Sequence, residues 1–145
     1  MNSKRTGWIQ PGGIVVAALV FLIGAMPGQT QKSPANFKAA AAIWKKVHVK
    51  ADALDKTIQS KKLKVVHEAA FAVRDQVKLL PANSKALSAD TQAQLNKGVK
   101  TVAGLAKQLD EAGDGGKQAE AEALDKKMHT VLDAIARLYP AGALK

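Results

Sequence analysis

The stretch Phe37–Ile58, "FKAAAAIWKKVHVKADALDKTI", decides the fold. In it Phe37, Ala40, Trp44, Val47, Ala51, Leu54 and Ile58 recur at alternating steps of three and four. That spacing places all seven on one face of an α-helix and leaves the lysines for the other faces. A helix with one apolar stripe needs other helices or a sheet to bury it.

Three further segments repeat the pattern. They are Leu63, Val66, Ala70, Val73, Val77 and Leu80; then, less regularly, Leu95, Val99, Val102, Ala106 and Leu109; then Ala121, Leu124, Met128, Val131, Ile135 and Leu138. No segment of comparable length alternates with period two, so strands have no support. The breaks carry turn chemistry. Ser60 in "QSKK" is a candidate cap for helix 2, and Pro81 ends that helix because proline cannot continue the hydrogen-bond ladder. Ser88 is the expected N-cap of helix 3, with Asp90 in its first turn. Gly113 in "EAGDGG" suits a left-handed C-cap, and "YPAG" stops helix 4. Short connections favour antiparallel neighbours. The expected fold is therefore all-α, an up-down-up-down antiparallel four-helix bundle over residues 37–140, with a tail at 141–145.

Composition agrees with this. The chain has 145 residues, 47% of them hydrophobic but only 4% aromatic, which suits a core of Ala, Leu, Val and Ile. The absence of cysteine excludes disulfides, covalent c-type haem, thiolate metal sites and a lipidated cysteine. The N-terminus reads as a signal peptide over residues 1–30. Lys4 and Arg5 precede an apolar run of 13 residues, Ile14–Met26, against about 20 for a comfortable membrane span. Cleavage is expected after Ala25 or near Thr30, with a flexible lead-in at 31–36. Anchoring by the same segment is the second reading. The expected location is the periplasm.

The net charge of +10 is unevenly placed. Lys32–Lys85 holds 12 basic and 4 acidic residues, whereas Ala86–Lys145 holds 8 of each. In an exported protein, a basic first half points to an envelope protein or an anionic surface as partner, with no role for nucleic acid. Lys61, Lys62 and Lys64 form a basic knob at the first hairpin turn and are the candidate partner-binding residues.

The stretch "DKKMHTVLD", Asp125–Asp133, sets a methionine beside a histidine. Helical phase separates them. Met128 lies on the core stripe, and His129 is turned about 100° from it. His48 and His129 each have an aspartate four residues on, Asp52 and Asp133, close enough for a hydrogen bond or a two-point chelate. Counting from the loops places His48 and His129 at similar heights on neighbouring helices. His48, Asp52, His129 and Asp133 are therefore the candidate metal ligands, suited to a divalent transition ion such as copper or zinc. Lys45, Lys46, Lys50, Lys126 and Lys127 surround them and oppose a cation. His67 is expected to be partly buried and satisfied by Asp52 or Asp55. No G-x-S-x-G, P-loop or H-E-x-x-H is present, and "GDGG" at Gly113–Gly116 is too short to cradle a phosphate. The expectation is a non-enzymatic protein. Val65, Phe71 and Leu132 are apolar positions off the main stripes and hint at a homodimer.

The export signal, a bundle over about Asn36–Pro140 and a fourth helix ending at Tyr139 together resemble the small periplasmic four-helix cytochromes, the soluble b-type and the c-prime type. In that family a histidine near the end of helix 4 holds haem, and b-type members add a methionine early in helix 1. The matching positions here are Ala136 and a Phe37–Ile58 segment without methionine. The resemblance thus implies the fold and the compartment. It implies haem only if His48, His67 or His129 takes over the ligation.

Overall fold

The computed structural model describes residues 34–145; the expected signal peptide at 1–30 and the first part of the expected lead-in, 31–33, lie outside the described residues. Among the described residues four helices follow one another: α1 (Lys38–Gln59), α2 (Val66–Val77), α3 (Ala89–Asp114) and α4 (Gln118–Ala136). Three short 3-10 turns accompany them, at Pro34–Phe37, Leu63–Val65 and Pro81–Asn83. There is no strand among the described residues. Each helix packs along the next, and α1 meets α4 over a smaller area. All seven stripe residues of Phe37–Ile58 are buried, as the three-four spacing requires. They join Val66, Val73, Leu95, Leu109, Met128 and Ile135 in a single core. Burying a leucine- or valine-sized side chain stabilises by about 1.5–3 kcal/mol, so this one face supplies much of the driving force for folding.

The connections differ from the expected ones in three places. Ser60 closes α1 rather than opening α2, since its hydroxyl donates to the Lys56 carbonyl at 2.6 Å. The turn is then made by Lys61, which takes a left-handed φ of 56°. Second, α2 ends at Val77, before Pro81, and the chain passes through a turn that still buries Leu80. Third, Gly113 is not a left-handed cap. It sits buried inside α3, and Gly116 adopts the positive φ of 66°. Gly113 is needed for another reason: a Cβ there would come within 2.6 Å of the Leu63 carbonyl oxygen. The last turn of α3 thus presses on the backbone of the α1–α2 connection. The Ser88 cap forms as expected, its hydroxyl accepting from the Thr91 amide at 3.3 Å.

Both ends of α1 are tied to α4. At one end the Gln118 side-chain amide donates to the Ile58 carbonyl at 2.9 Å, a second donor beside the Lys61 amide. At the other, the Phe37 ring meets Tyr139 edge to face at 5.6 Å. The start of α4 therefore lies by the end of α1, and the end of α4 by its start. The Tyr139 hydroxyl is hydrogen-bonded to buried Ser84 at 2.6 Å, and burial raises its pKa against the effect of that bond. Residues 141–145 are not a free tail, since Ala143 is buried in the core. Leu132 is buried as well, and Phe71 is partly covered, with the Arg74 guanidinium 4.2 Å above its ring. Of the three residues that hinted at a dimer, Val65 alone is exposed.

Candidate functional site

Two surfaces flank α1. On the side toward α4, Asp55 of α1 meets Asp125 and His129 of α4. Asp55 Oδ1 lies 2.7 Å from His129 Nε2, and one ligand atom from each of the three residues falls within 4.8 Å of the others. All three are half-buried. Asp125 and His129 are four residues apart and so share one face of α4. The Asp125 carboxyl is pushed up to about 6, first by burial and next by the negative charge of Asp55 beside it. One of its oxygens, Oδ1, is sealed from solvent without a hydrogen-bond partner. The His129 imidazole is raised from its ordinary value by the bond to Asp55, against the opposing effect of burial. The charges of Asp55, Asp125 and Asp133 add to the rise.

The four expected ligands do not assemble. His129 is at the centre of the cluster, and Asp133 reaches it as a nearby charge. Asp52 is exposed. His48 stacks edge-on against Trp44, with ring centroids 5.3 Å apart. It lines a separate cleft of about 550 Å³ with Trp44, Ala136 and Tyr139. Equal height was insufficient because helical side chains lean toward their own N-terminus. α1 and α4 run in opposite directions, so the two histidines lean apart. His48 leans onto Trp44, and His129 leans toward Asp125 and the α1 end that holds Asp55. A sign of this was present in the sequence: Asp125 precedes His129 by four residues just as Asp133 follows it. His67 also differs from expectation. Its ring is 4.0 Å from Glu68 and makes no pair with Asp52 or Asp55.

On the side toward α2, the surface is basic and partly apolar. Val49 is 64% exposed and Val65 41%. Val49 lies in a hollow with Lys45, Lys46, Lys50 and Gln76. Val65 lines an adjoining groove of about 260 Å³ with Lys50, Ala53, Thr57, Ala69 and Ala72. Glu68 also lines it and is its one acidic group. Lys61, Lys62 and Lys64 are all exposed in the turn that closes this end of the hairpin.

The chain matches no protein-family model, no curated protein and no solved structure. These comparisons therefore lend nothing to the resemblance to four-helix cytochromes. Among the described residues, no helix is long and apolar enough to cross a membrane.

Proposed function

We propose that this protein is an exported, non-enzymatic helical bundle of up-down-up-down topology whose α1–α2 hairpin docks on an anionic envelope surface. The observation that carries the reading is exposed Val49 in a hollow edged by Lys45, Lys46 and Lys50, beside exposed Val65 in an adjoining groove that Lys50 also lines. Lysine ammoniums favour anionic lipid head groups by about 1 kcal/mol each near the surface. Lys45, Lys46 and Lys50 line this side of the molecule, and Lys61, Lys62 and Lys64 are exposed in the turn between α1 and α2. The valines add a small apolar contribution where they touch the acyl boundary. The opposing ends of α1 and α4, and the short α1–α2 and α3–α4 connections at 60–65 and 115–117, support the topology.

The test is co-sedimentation with phosphatidylglycerol vesicles, using phosphatidylcholine vesicles as control. Binding is expected to be selective for the anionic vesicles and to weaken steeply with salt. Combining Lys61→Glu, Lys62→Glu and Lys64→Glu is expected to weaken it by about 100-fold or more, at about 1 kcal/mol per lysine. Unchanged binding after the triple reversal would refute the proposal, as would indifference to salt. So would failure to bind anionic vesicles at all, the result expected if the partner is instead an acidic envelope protein.

A metal or haem carrier is the second reading. The observation that favours it is the clustering of two carboxylates around His129; it moves the ligand set away from His48 and Asp52.

A further inference from the structure

The geometry points to a site for one divalent transition-metal ion, of the zinc class, formed by Asp55, Asp125 and His129 at the seam between α1 and α4. This site is independent of the docking surface on the other flank of α1.

Three features of the structure support it. The first is convergence. The donor atoms of the three side chains lie within 4.8 Å of one another and come from two helices. Bonds of about 2.0 Å to a tetrahedral ion place ligand atoms about 3.3 Å apart. Asp55 Oδ1 and His129 Nε2, now 2.7 Å apart, need only separate slightly for an ion to enter between them. The second is the vacant lone pairs on Asp125. Its Oδ1 is sealed from solvent and accepts no hydrogen bond from a protein N–H or hydroxyl. The neighbouring Asp55 carboxylate can bond to Asp125 only through a shared proton, the place a cation would take. A buried carboxylate oxygen in that condition is unfavourable, and a cation is one group that would satisfy it. The third is the chemistry of the donors. An imidazole with two carboxylates is a nitrogen–oxygen set of borderline hardness. It favours zinc and its first-row neighbours over calcium and magnesium, which take oxygen alone. Two carboxylate charges also balance a divalent ion.

The surroundings set the character of the site. The His129 and Asp55 side chains are 43% and 28% exposed, so one side of the ion would face water. Three protein ligands with water in the remaining position is the open form of a zinc site, not the closed four-ligand structural form. Asp133, one turn beyond His129, adds negative charge without joining the ligands. Lys126 and Lys127 are exposed on the same helix. Their repulsion is screened over about 8 Å at physiological salt.

The proposal is tested on tag-free full-length protein, stripped with chelator and dialysed. Zn²⁺ is titrated by calorimetry and Co²⁺ by visible absorption, which reports nitrogen and oxygen coordination. One equivalent is expected for each ion. Asp125→Asn and His129→Gln should each weaken zinc binding by about 10-fold or more. His48→Gln and Asp52→Asn should leave it unchanged. Asp125→Asn removes a half-buried charge, so its fold should survive, and circular dichroism checks this. The proposal fails if the wild-type protein takes up neither ion. It also fails if Asp125→Asn and His129→Gln bind zinc as tightly as wild type, or if His48→Gln is the change that abolishes uptake.

Discussion

The two flanks of α1 share one helix and face opposite chemistry. Toward α2 the groove is floored by small and β-branched residues and edged by lysines. Toward α4 the seam draws together two aspartates and a histidine. The difference follows from which residues α1 places on each side of its buried stripe. Lys50, Ala53 and Thr57 lie on one shoulder, and Asp55 lies on the other. The packing partners sharpen it. α2 covers its neighbour closely yet leaves Val49 and Val65 exposed, whereas the narrower α1–α4 contact leaves room for polar side chains to meet. A single amphipathic helix can therefore present two surfaces of unlike character without giving up its core face.

The largest expected effect tests the support beneath the α2 flank. Gly113→Ala adds a Cβ against the Leu63 carbonyl, a backbone atom that cannot rotate away. Alanine in a helix interior ordinarily gains about 1 kcal/mol over glycine. Here the sign should reverse, with a loss of about 2 kcal/mol from overpacking. Chemical denaturation would measure it, and a neutral or stabilising result would show that the hairpin turn can shift freely.

A smaller effect tests the α4 flank. In chelator, Asp125→Asn should stabilise the protein at pH 7.5 by about 1 kcal/mol. That is well below the full value of its proton-affinity shift, because half of the group meets water. The sign follows from the folded pKa of about 6 against an ordinary 3.8. The folded state holds this proton more tightly than the unfolded chain does. Wild-type stability from this group therefore falls as pH rises from about 4 to about 6. The gain from asparagine should be absent near pH 4 and complete above about pH 6. His129 acts in the same direction. Its raised pKa gives stability that is present below its unfolded value and lost as pH rises through the folded one. Melting curves at pH 4 and 7.5 read the difference; an equal effect at both would separate Asp125 from any charge penalty.

The smallest effect returns to the α2 flank. Val49→Ser should change stability by less than about 0.5 kcal/mol, since Val49 is largely exposed. It should still reduce vesicle binding by severalfold, through the lost apolar contact. Equal binding by the variant would make the lysines the sole contributors to the docking surface.

Most of the helical frame was legible in the sequence, because burial on a helix follows a simple period. Every stripe residue of Phe37–Ile58 is buried. The fourth helix departs from the pattern at Leu132, buried beside a partly exposed Val131. A helix packed between α3 and α1 buries a stripe wider than the heptad seam. The connections were harder to read because they depend on contacts distant in sequence. Gly113 looked like a cap until the Leu63 carbonyl explained it. The site was legible in part. His129 was visible, but its partner was not, since spacing gives the height of a side chain and not the direction in which it leans. Asp55 and Asp125 follow core residues Leu54 and Leu124 by one position, which marks them as edge residues. Choosing between them and Asp52 or Asp133 required the tilt of the Cα–Cβ bonds.

The buried hydrogen bond between Ser84 and Tyr139 spans 55 residues, and Phe37 meets Tyr139 across nearly the whole described chain. Consecutive helices can pair as soon as each emerges from synthesis, because their contacts are local. The cluster of Phe37, Ser84 and Tyr139 has to wait for Tyr139, which follows all four helices. This end of the molecule should therefore be the last to close during folding. Changes there should mainly accelerate unfolding and leave the folding rate nearly untouched.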